Sequence, residues 1–179
     1  MISRTVLTAR LAAGVFAVLP LFASHADAAQ RASNKLVLED FFKGTMTATG
    51  VFNNTRDGSR RRMTVAMRGA WDGKALTLRE DFVYDDGERN RKTWVFTKTG
   101  EGRYVGRRED VIGTADVYQD GDVVRLSYLA RVKTAKGDSY DVRFRDTLAM
   151  AGPNAVLNTA ALSFYVFDVG TVQMTINKR

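Results

Sequence analysis

Short glycine turns punctuate the sequence from residue 44 onward: Asp57-Gly58, Asp72-Gly73, Asp86-Gly87, Gly100-Glu101-Gly102, Asp120-Gly121, Lys136-Gly137 and Gly152-Pro153-Asn154. Glycine enters the positive-φ region that tight hairpins demand at little steric cost, and Asp-Gly is a strong short-range hairpin signal. Between these turns apolar residues recur at every second position, the period of a strand with one buried face. Met63, Val65, Met67, Gly69 and Trp71 alternate with Arg62, Thr64, Arg68 and Ala70. Val124, Leu126, Tyr128, Ala130 and Val132 do the same, as do Tyr140, Val142, Phe144 and Leu148. The spacing predicts about ten strands, near residues 44–54, 60–71, 76–84, 88–98, 103–108, 111–119, 123–133, 139–150, 155–161 and 170–178. Consecutive strands joined by such short turns form an antiparallel up-and-down meander. A long meander with one apolar face removes its edges by closing into a barrel. A β-sandwich is the alternative architecture. Helical spacing is confined to Leu36–Phe42, which reads as a helical turn capping the domain, and to the stretch around residues 160–167.

The residues before this region carry a different pattern. Arg4 and Arg10 precede an apolar run from Leu11 to Ala23 that is short for a membrane span, and Ala26-Asp27-Ala28 has small residues where a signal peptidase reads. Residues 1–28 are therefore expected to be a secretory signal peptide, with Ser24-His25-Ala26 as the competing cleavage site. Residues 29–179 are expected to be a single domain, soluble in the periplasm or otherwise exported. No cysteine follows the apolar run to carry a lipid anchor.

Composition excludes whole classes of chemistry. The chain has no cysteine, and its one histidine, His25, lies within the expected leader. The mature protein would have no thiol nucleophile, no Ser-His-Asp triad and no zinc site ligated by His or Cys. No cofactor and no metal are expected. Asp85-Asp86-Gly87-Glu88 lacks the alternating spacing and distal Glu of a calcium loop and reads as a hairpin turn.

What remains are carboxylates, aromatics and arginines. Glu80 lies between Leu78 and Phe82 on the face that also carries Leu76 and Tyr84. Asp146 falls on the apolar side of the run from Tyr140 to Leu148. If both strands line a barrel, both carboxylates point inward, where each needs a partner, a ligand or water. Inward basic groups such as Lys92 are candidate partners. A polar group of a ligand, or a role as an acid–base pair in a hydrolase or isomerase, are the other readings. Phe82, Tyr84, Trp71, Trp94, Phe96, Tyr128, Tyr140 and Phe144 give the same interior an aromatic lining. That lining suits an apolar or amphipathic, lipid-like molecule, and it equally suits a filled core. The net charge of +7 and the arginines Arg60, Arg61, Arg62, Arg89, Arg91, Arg107 and Arg108 mark an expected contact surface for an anionic membrane. Nucleic acid is not expected, since no aromatic stacking motif is interleaved with these arginines.

Taken together, the motifs resemble an uncharacterised family of bacterial cell-envelope proteins, many of them lipoproteins. The matching segments are Leu38 to Gly44, Trp71-Asp72-Gly73, and Glu80 to Glu88 followed by Arg89, Arg91 and Trp94. Gly113 to Ala115, Tyr140 to Asp146 and Leu157-Asn158 complete the set. The resemblance implies an envelope location and no particular activity. At the level of fold, Phe41-Phe42-Lys43-Gly44 before the first strand is similar to the opening of lipocalins and fatty-acid-binding proteins, with Met46 where those carry tryptophan. That similarity implies a ligand-binding barrel.

Overall fold

The computed structural model describes residues 35–133 and 137–179. The expected leader, residues 1–28, lies outside the described residues. A four-residue helix, α1 (Leu38–Phe41), precedes ten strands. They are β1 (Gly44–Asn54), β2 (Arg60–Trp71), β3 (Ala75–Tyr84), β4 (Arg89–Gly100), β5 (Arg103–Arg107), β6 (Val111–Asp120), β7 (Val123–Lys133), β8 (Ser139–Gly152), β9 (Ala155–Phe164) and β10 (Phe167–Lys178). Each pairs antiparallel with the next, and β10 returns to pair with β1 from Met46↔Lys178 to Asn54↔Gly170. The meander is thus a closed barrel, and the sandwich alternative falls away.

Side-chain alternation carries the apolar set inward as the period requires. Val65, Leu78, Val117, Val124, Ala130, Val156 and Ile176 are all buried, while their sequence neighbours mostly face solvent. Where the glycine signals predicted turns among the described residues, turns occur; Lys136 of the Lys136-Gly137 signal lies outside them. One segment departs from expectation. Residues 160–167 are not helical: β9 runs to Phe164 and β10 starts at Phe167, so Tyr165-Val166 is a two-residue hairpin loop.

The two ends of the barrel differ. One end carries the β2–β3, β4–β5, β6–β7 and β8–β9 turns, and the segment from Leu36 to Phe42 is folded across it. Leu36, Leu38, Phe41 and Phe42 are all buried there. Leu36 N–H donates to the Asp122 carbonyl at 3.0 Å, and Lys178 Nζ donates to the Asp40 carbonyl at 2.7 Å. Glu39 also points in, accepting from Lys98 Nζ at 2.6 Å and from the Tyr104 hydroxyl. Burial pushes the Glu39 carboxyl up, but those two hydrogen bonds outweigh it and hold the group below its ordinary range. The plug is therefore fixed by apolar packing and by polar ties to four different parts of the barrel.

At the opposite end nothing described covers the interior. The inward-facing Phe52, Tyr84, Val132, Phe144 and Val172 are only partly buried. Inward positions near the plug, such as Met46, Leu76, Val124 and Val156, have no exposure at all. Among the described residues the barrel is closely filled at the plug end and less so at the other, where Val142, Ala160 and Leu162 still form a small buried cluster.

Candidate functional site: an acid pair midway down the barrel

β3 and β8 bring Glu80 and Asp146 to the middle of the barrel, both inward, both 8% exposed. On β3 the inward positions are Leu76 and Leu78 toward the plug and Phe82 and Tyr84 toward the open end. On β8, Leu148 lies on the plug side of Asp146, and Phe144, Val142 and Tyr140 lie on the open side. The two acids lie between the fully buried layers beside the plug and the layers toward the open end, where Phe52, Tyr84 and Phe144 are partly exposed.

Two cations share this layer, and both bind another carboxylate. Arg108 continues the inward row of Tyr104 and Gly106 just past β5. Its guanidinium lies 4.5 Å above the Trp94 ring and 5.3 Å from the Tyr128 ring. It donates from Nε to Asp110 Oδ1 at 2.6 Å and from a terminal nitrogen to Oδ2 at 3.2 Å. Lys92, opposite Glu80 in the β3–β4 register, also donates to Asp110 Oδ2. Asp110 thus takes both cations. Burial pushes its carboxyl up, and Arg108 and Lys92 more than reverse that, leaving it below the ordinary range.

Glu80 and Asp146 are left over. Among the described residues Glu80 has no hydrogen bond. Asp146 has one long contact, from the Tyr128 hydroxyl to Oδ2 at 3.4 Å, and its Oδ1 is buried without a donor. The Asn158 amide lies beside Asp146, and Asn158 Oδ1 is a second buried acceptor without a donor. Burial pushes Glu80 up to about 7, against the fields of Arg108 and Lys92. It pushes Asp146 up to about 7 as well, against Arg108, Tyr128 and Asn158. A buried acceptor without a donor is costly and rare in folded proteins. Two such atoms meet here, Asp146 Oδ1 and Asn158 Oδ1, beside a Glu80 carboxyl that has no hydrogen bond among the described residues. The arrangement can bind whatever brings hydrogen-bond donors to it, and it can hold protons near neutral pH.

The expectation that Lys92 partners Glu80 is corrected. The two are cross-strand neighbours, but the lysine reaches past to Asp110, an acid in the β5–β6 turn. The aromatic candidates divide by depth. Phe82, Tyr84, Tyr128 and Phe144 stand around or above the acid layer, with Tyr128 and Phe144 stacked at 5.0 Å and Phe82 and Tyr84 at 6.0 Å. Trp94 lies under Arg108 and stacks on Phe96 at 4.9 Å, and Phe96 packs among the buried residues of the filled half. Tyr140 is at the open rim, 43% exposed, edge-on to Phe164.

The arginine surface is corrected too. Arg108 is inside the barrel, its side chain only 9% exposed. Arg61 also points inward, at the open rim. Its guanidinium lies 3.7 Å from the Tyr84 ring centroid and is paired with Asp86 and Glu88. Arg91 is paired with Asp81 on the outer wall at 2.5 Å. Arg60, Arg62, Arg89 and Arg107 are outward and exposed, with no ion pair among the described residues. Parity would have placed Arg61 with Met63 and Val65, and Asn158 with Val156 and Ala160. Asp110 sits in a turn, where alternation carries no information.

The best-formed concavities among the described residues are open depressions. One, of about 510 Å³, is lined by Arg131, Ser139, Tyr140, Asp141, Phe164 and Tyr165 at the rim. The other, of about 290 Å³, lies against Gly50, Met63, Val83 and Tyr84. Neither includes Glu80 or Asp146. No group of three or more His, Cys, Asp or Glu residues with metal-binding geometry occurs among the described residues.

Solved structures are similar to this chain in fold. An S-type phycobiliprotein lyase, CPES from Guillardia theta, superposes with a TM-score of 0.56 at 10% identity, over 80% of this chain and 94% of that one. A structure named EF1p2_mFAP2b, bound to DFHBI, gives 0.46 at 10% identity over 78% and 95% of the two chains. A de novo designed fluorescence-activating β-barrel gives 0.40 at 16% identity over 79% and 96%. At such identities the likeness to the lyase is one of fold. Comparison with curated proteins gives no match. The family model that matches spans residues 16–178, nearly the whole sequence, and the chain therefore belongs to the DUF3833 family, proteins of unknown function.

Proposed function

We propose that this chain is an exported binding protein that takes an amphipathic small molecule through the open end of its barrel. The polar end of that molecule would donate hydrogen bonds to Glu80 and Asp146. Its apolar part would lie among Phe52, Phe82, Tyr84 and Phe144. The observation that carries this reading is the pair of buried carboxyls midway down the barrel that lack an ion pair, Glu80 with no hydrogen bond among the described residues and Asp146 with one oxygen left without a donor. Stability alone does not explain such a pair, whereas a site often keeps groups that are costly when it is empty. The short positive leader, apolar run and Ala-x-Ala site support export. The same features, with the resemblance stated above, support a place in the cell envelope.

One observation favours a second reading, a structural barrel without a ligand: neither well-formed concavity reaches the acid layer. A titration separates the two. The mature protein is purified from its own host, with an N-terminus expected between Asp27 and Gln30, and stripped of any bound molecule by refolding. Intrinsic tryptophan fluorescence then follows the addition of dodecylamine, dodecanol and dodecanoate. Trp94, beneath Arg108 and edge-on to Tyr128, is placed to report. The expected order of affinity is amine, then alcohol, then carboxylate, with the amine at least about tenfold tighter than the carboxylate, since one unmatched charged contact is worth more than 1.4 kcal/mol. Absence of saturable binding by all three would support the filled barrel instead.

A further inference from the structure

The β9–β10 hairpin breaks the rule that the other hairpins of this barrel obey. Its two loop residues are Tyr165 and Val166, with no glycine, asparagine or aspartate. Tyr165 has φ 53°, and it is the one non-glycine residue with positive φ among those described. A positive φ at the first loop position alone is the pattern of a turn that prefers glycine there, and an L-residue in that region is strained. Tyr165, Val166 and Phe167 are 84%, 87% and 69% exposed. Three consecutive exposed large apolar residues on a strained tip oppose both solubility and stability, which points to a surface they cover in use. Phe164 and Tyr140 continue the tip down to the rim as edge-on contacts at 4.7 and 5.5 Å.

The charges around the tip indicate what covers it. The β1–β2 turn is tied to the base of the hairpin: Thr55 N–H donates to the Val169 carbonyl and the Thr55 hydroxyl to the Asp168 carbonyl. That places exposed Arg56 beside it. Arg143 and Arg145 lie on the outer face of β8, next to β9, and Lys133 ends β7. None of these four cations has an ion pair among the described residues. Asp57, Asp138 and Asp168 are the acids of the adjoining turns without an ion pair among the described residues, and Asp141 beside the tip is paired with Arg131, so the balance around the hairpin is positive. Asp85, Asp86, Glu88, Glu109 and Asp110 belong to the β3–β4 and β5–β6 turns of the same end.

We infer that Tyr165, Val166 and Phe167 form a finger that inserts into an anionic lipid surface, with Arg56, Lys133, Arg143 and Arg145 against the headgroups. Aromatic residues settle at the headgroup level, and basic side chains beside them draw the protein to anionic lipid. The finger stands at the open rim, so insertion would set the barrel mouth against the lipid. The inference does not depend on the barrel holding a ligand.

Co-sedimentation of the mature protein with phosphatidylcholine vesicles containing phosphatidylglycerol tests it, with pure phosphatidylcholine vesicles as control. Wild type should partition to the anionic vesicles, and less so at high salt. Val166→Ser with Phe167→Ser should lower the partition coefficient about tenfold or more, from the apolar area no longer buried. Tyr165→Gly should also weaken partition while its melting temperature stays level or rises, because glycine relieves the tip. A merely structural tip would not separate those two readouts. Wild-type partition by the serine variant, or no partition by wild type, would overturn the inference. So would a concentration-dependent dimer that the serine variant abolishes, which would assign the finger to a second copy of this chain.

Discussion

Asp110→Ala should destabilise the folded protein by on the order of 3–5 kcal/mol, the effect of stranding buried cations. One carboxylate at the β5–β6 turn holds both Lys92 and Arg108, whose side chains are 20% and 9% exposed. Without it Arg108 would keep only its aromatic neighbours, Trp94 and Tyr128. Cation–π contact gives a fraction of what a bidentate carboxylate gives. Asp110→Asn should behave almost as badly, because it preserves volume and removes charge. Glu80 is the acid best placed to take over part of the load, since its carboxyl already feels both cations whereas Asp146 feels Arg108 alone. Asp110→Ala should therefore cost more in a Glu80→Gln background than alone, a non-additivity that a double-mutant cycle reads directly. Denaturant unfolding of the four proteins gives the cycle. Strict additivity would mean that the two acids do not share these cations.

Gly69→Ala should cost a comparable amount, for a steric reason. Gly69 faces inward on β2 below the plug. A Cβ there would stand 1.7 Å from the Phe42 carbonyl oxygen and 2.8 Å from its carbon. Those are backbone atoms at the end of α1, so no side-chain rotamer relieves the clash. Either the segment from Leu36 to Phe42 lifts off the barrel or the β1–β2 pairing distorts. Lifting would expose four apolar side chains that are now buried, and fully burying each is worth about 1.5–3 kcal/mol. The variant should melt at a visibly lower temperature, and hydrogen exchange should rise first at the Leu36 and Phe42 amides. Slow exchange at those amides in Gly69→Ala would contradict the plug.

The fold was legible in the sequence because two independent signals agreed. Asp-Gly and related turns marked where strands end, and alternation between them told which residues face in. Parity alone put Glu80 and Asp146 inside. It does not reach across a barrel, however. Glu80 and Lys92 are neighbours by register, yet the lysine's partner is Asp110, contributed by a turn. Arg108 was grouped with Arg107 by charge, although it falls on the inward row of Tyr104 and Gly106, because a charged residue at a strand end reads as solvated. The β9–β10 hairpin was hidden for the opposite reason. Tyr165-Val166 carries no turn chemistry, so the stretch around it was read as helical. Where local preference and structure disagree is also where the exposed finger lies, as expected of positions kept for something other than stability.

The central claim is that Glu80 and Asp146 have no ion-pair partner among the described residues, so that their charge is a burden on the empty barrel. The sign follows from the pKa directions. Both acids are raised in the folded state, to about 7, from ordinary values of 4.5 and 3.8. The folded state holds these protons more tightly than the unfolded state. Their contribution to stability is therefore full below about pH 4 and is lost as pH rises through about 7, whereas the lowered carboxyls Glu39 and Asp110 lose theirs only in acid. The most direct measurement is the unfolding free energy of ligand-free protein at pH 5 and pH 8, for wild type and for Glu80→Gln/Asp146→Asn. Wild type should lose on the order of a few kcal/mol between the two, about 1.4 kcal/mol for each unit by which a group is raised. The double variant should lose much less and be the more stable protein at pH 8. A double variant less stable than wild type at pH 8 would mean that the carboxylates are held by cations after all, with no vacancy for a ligand to fill.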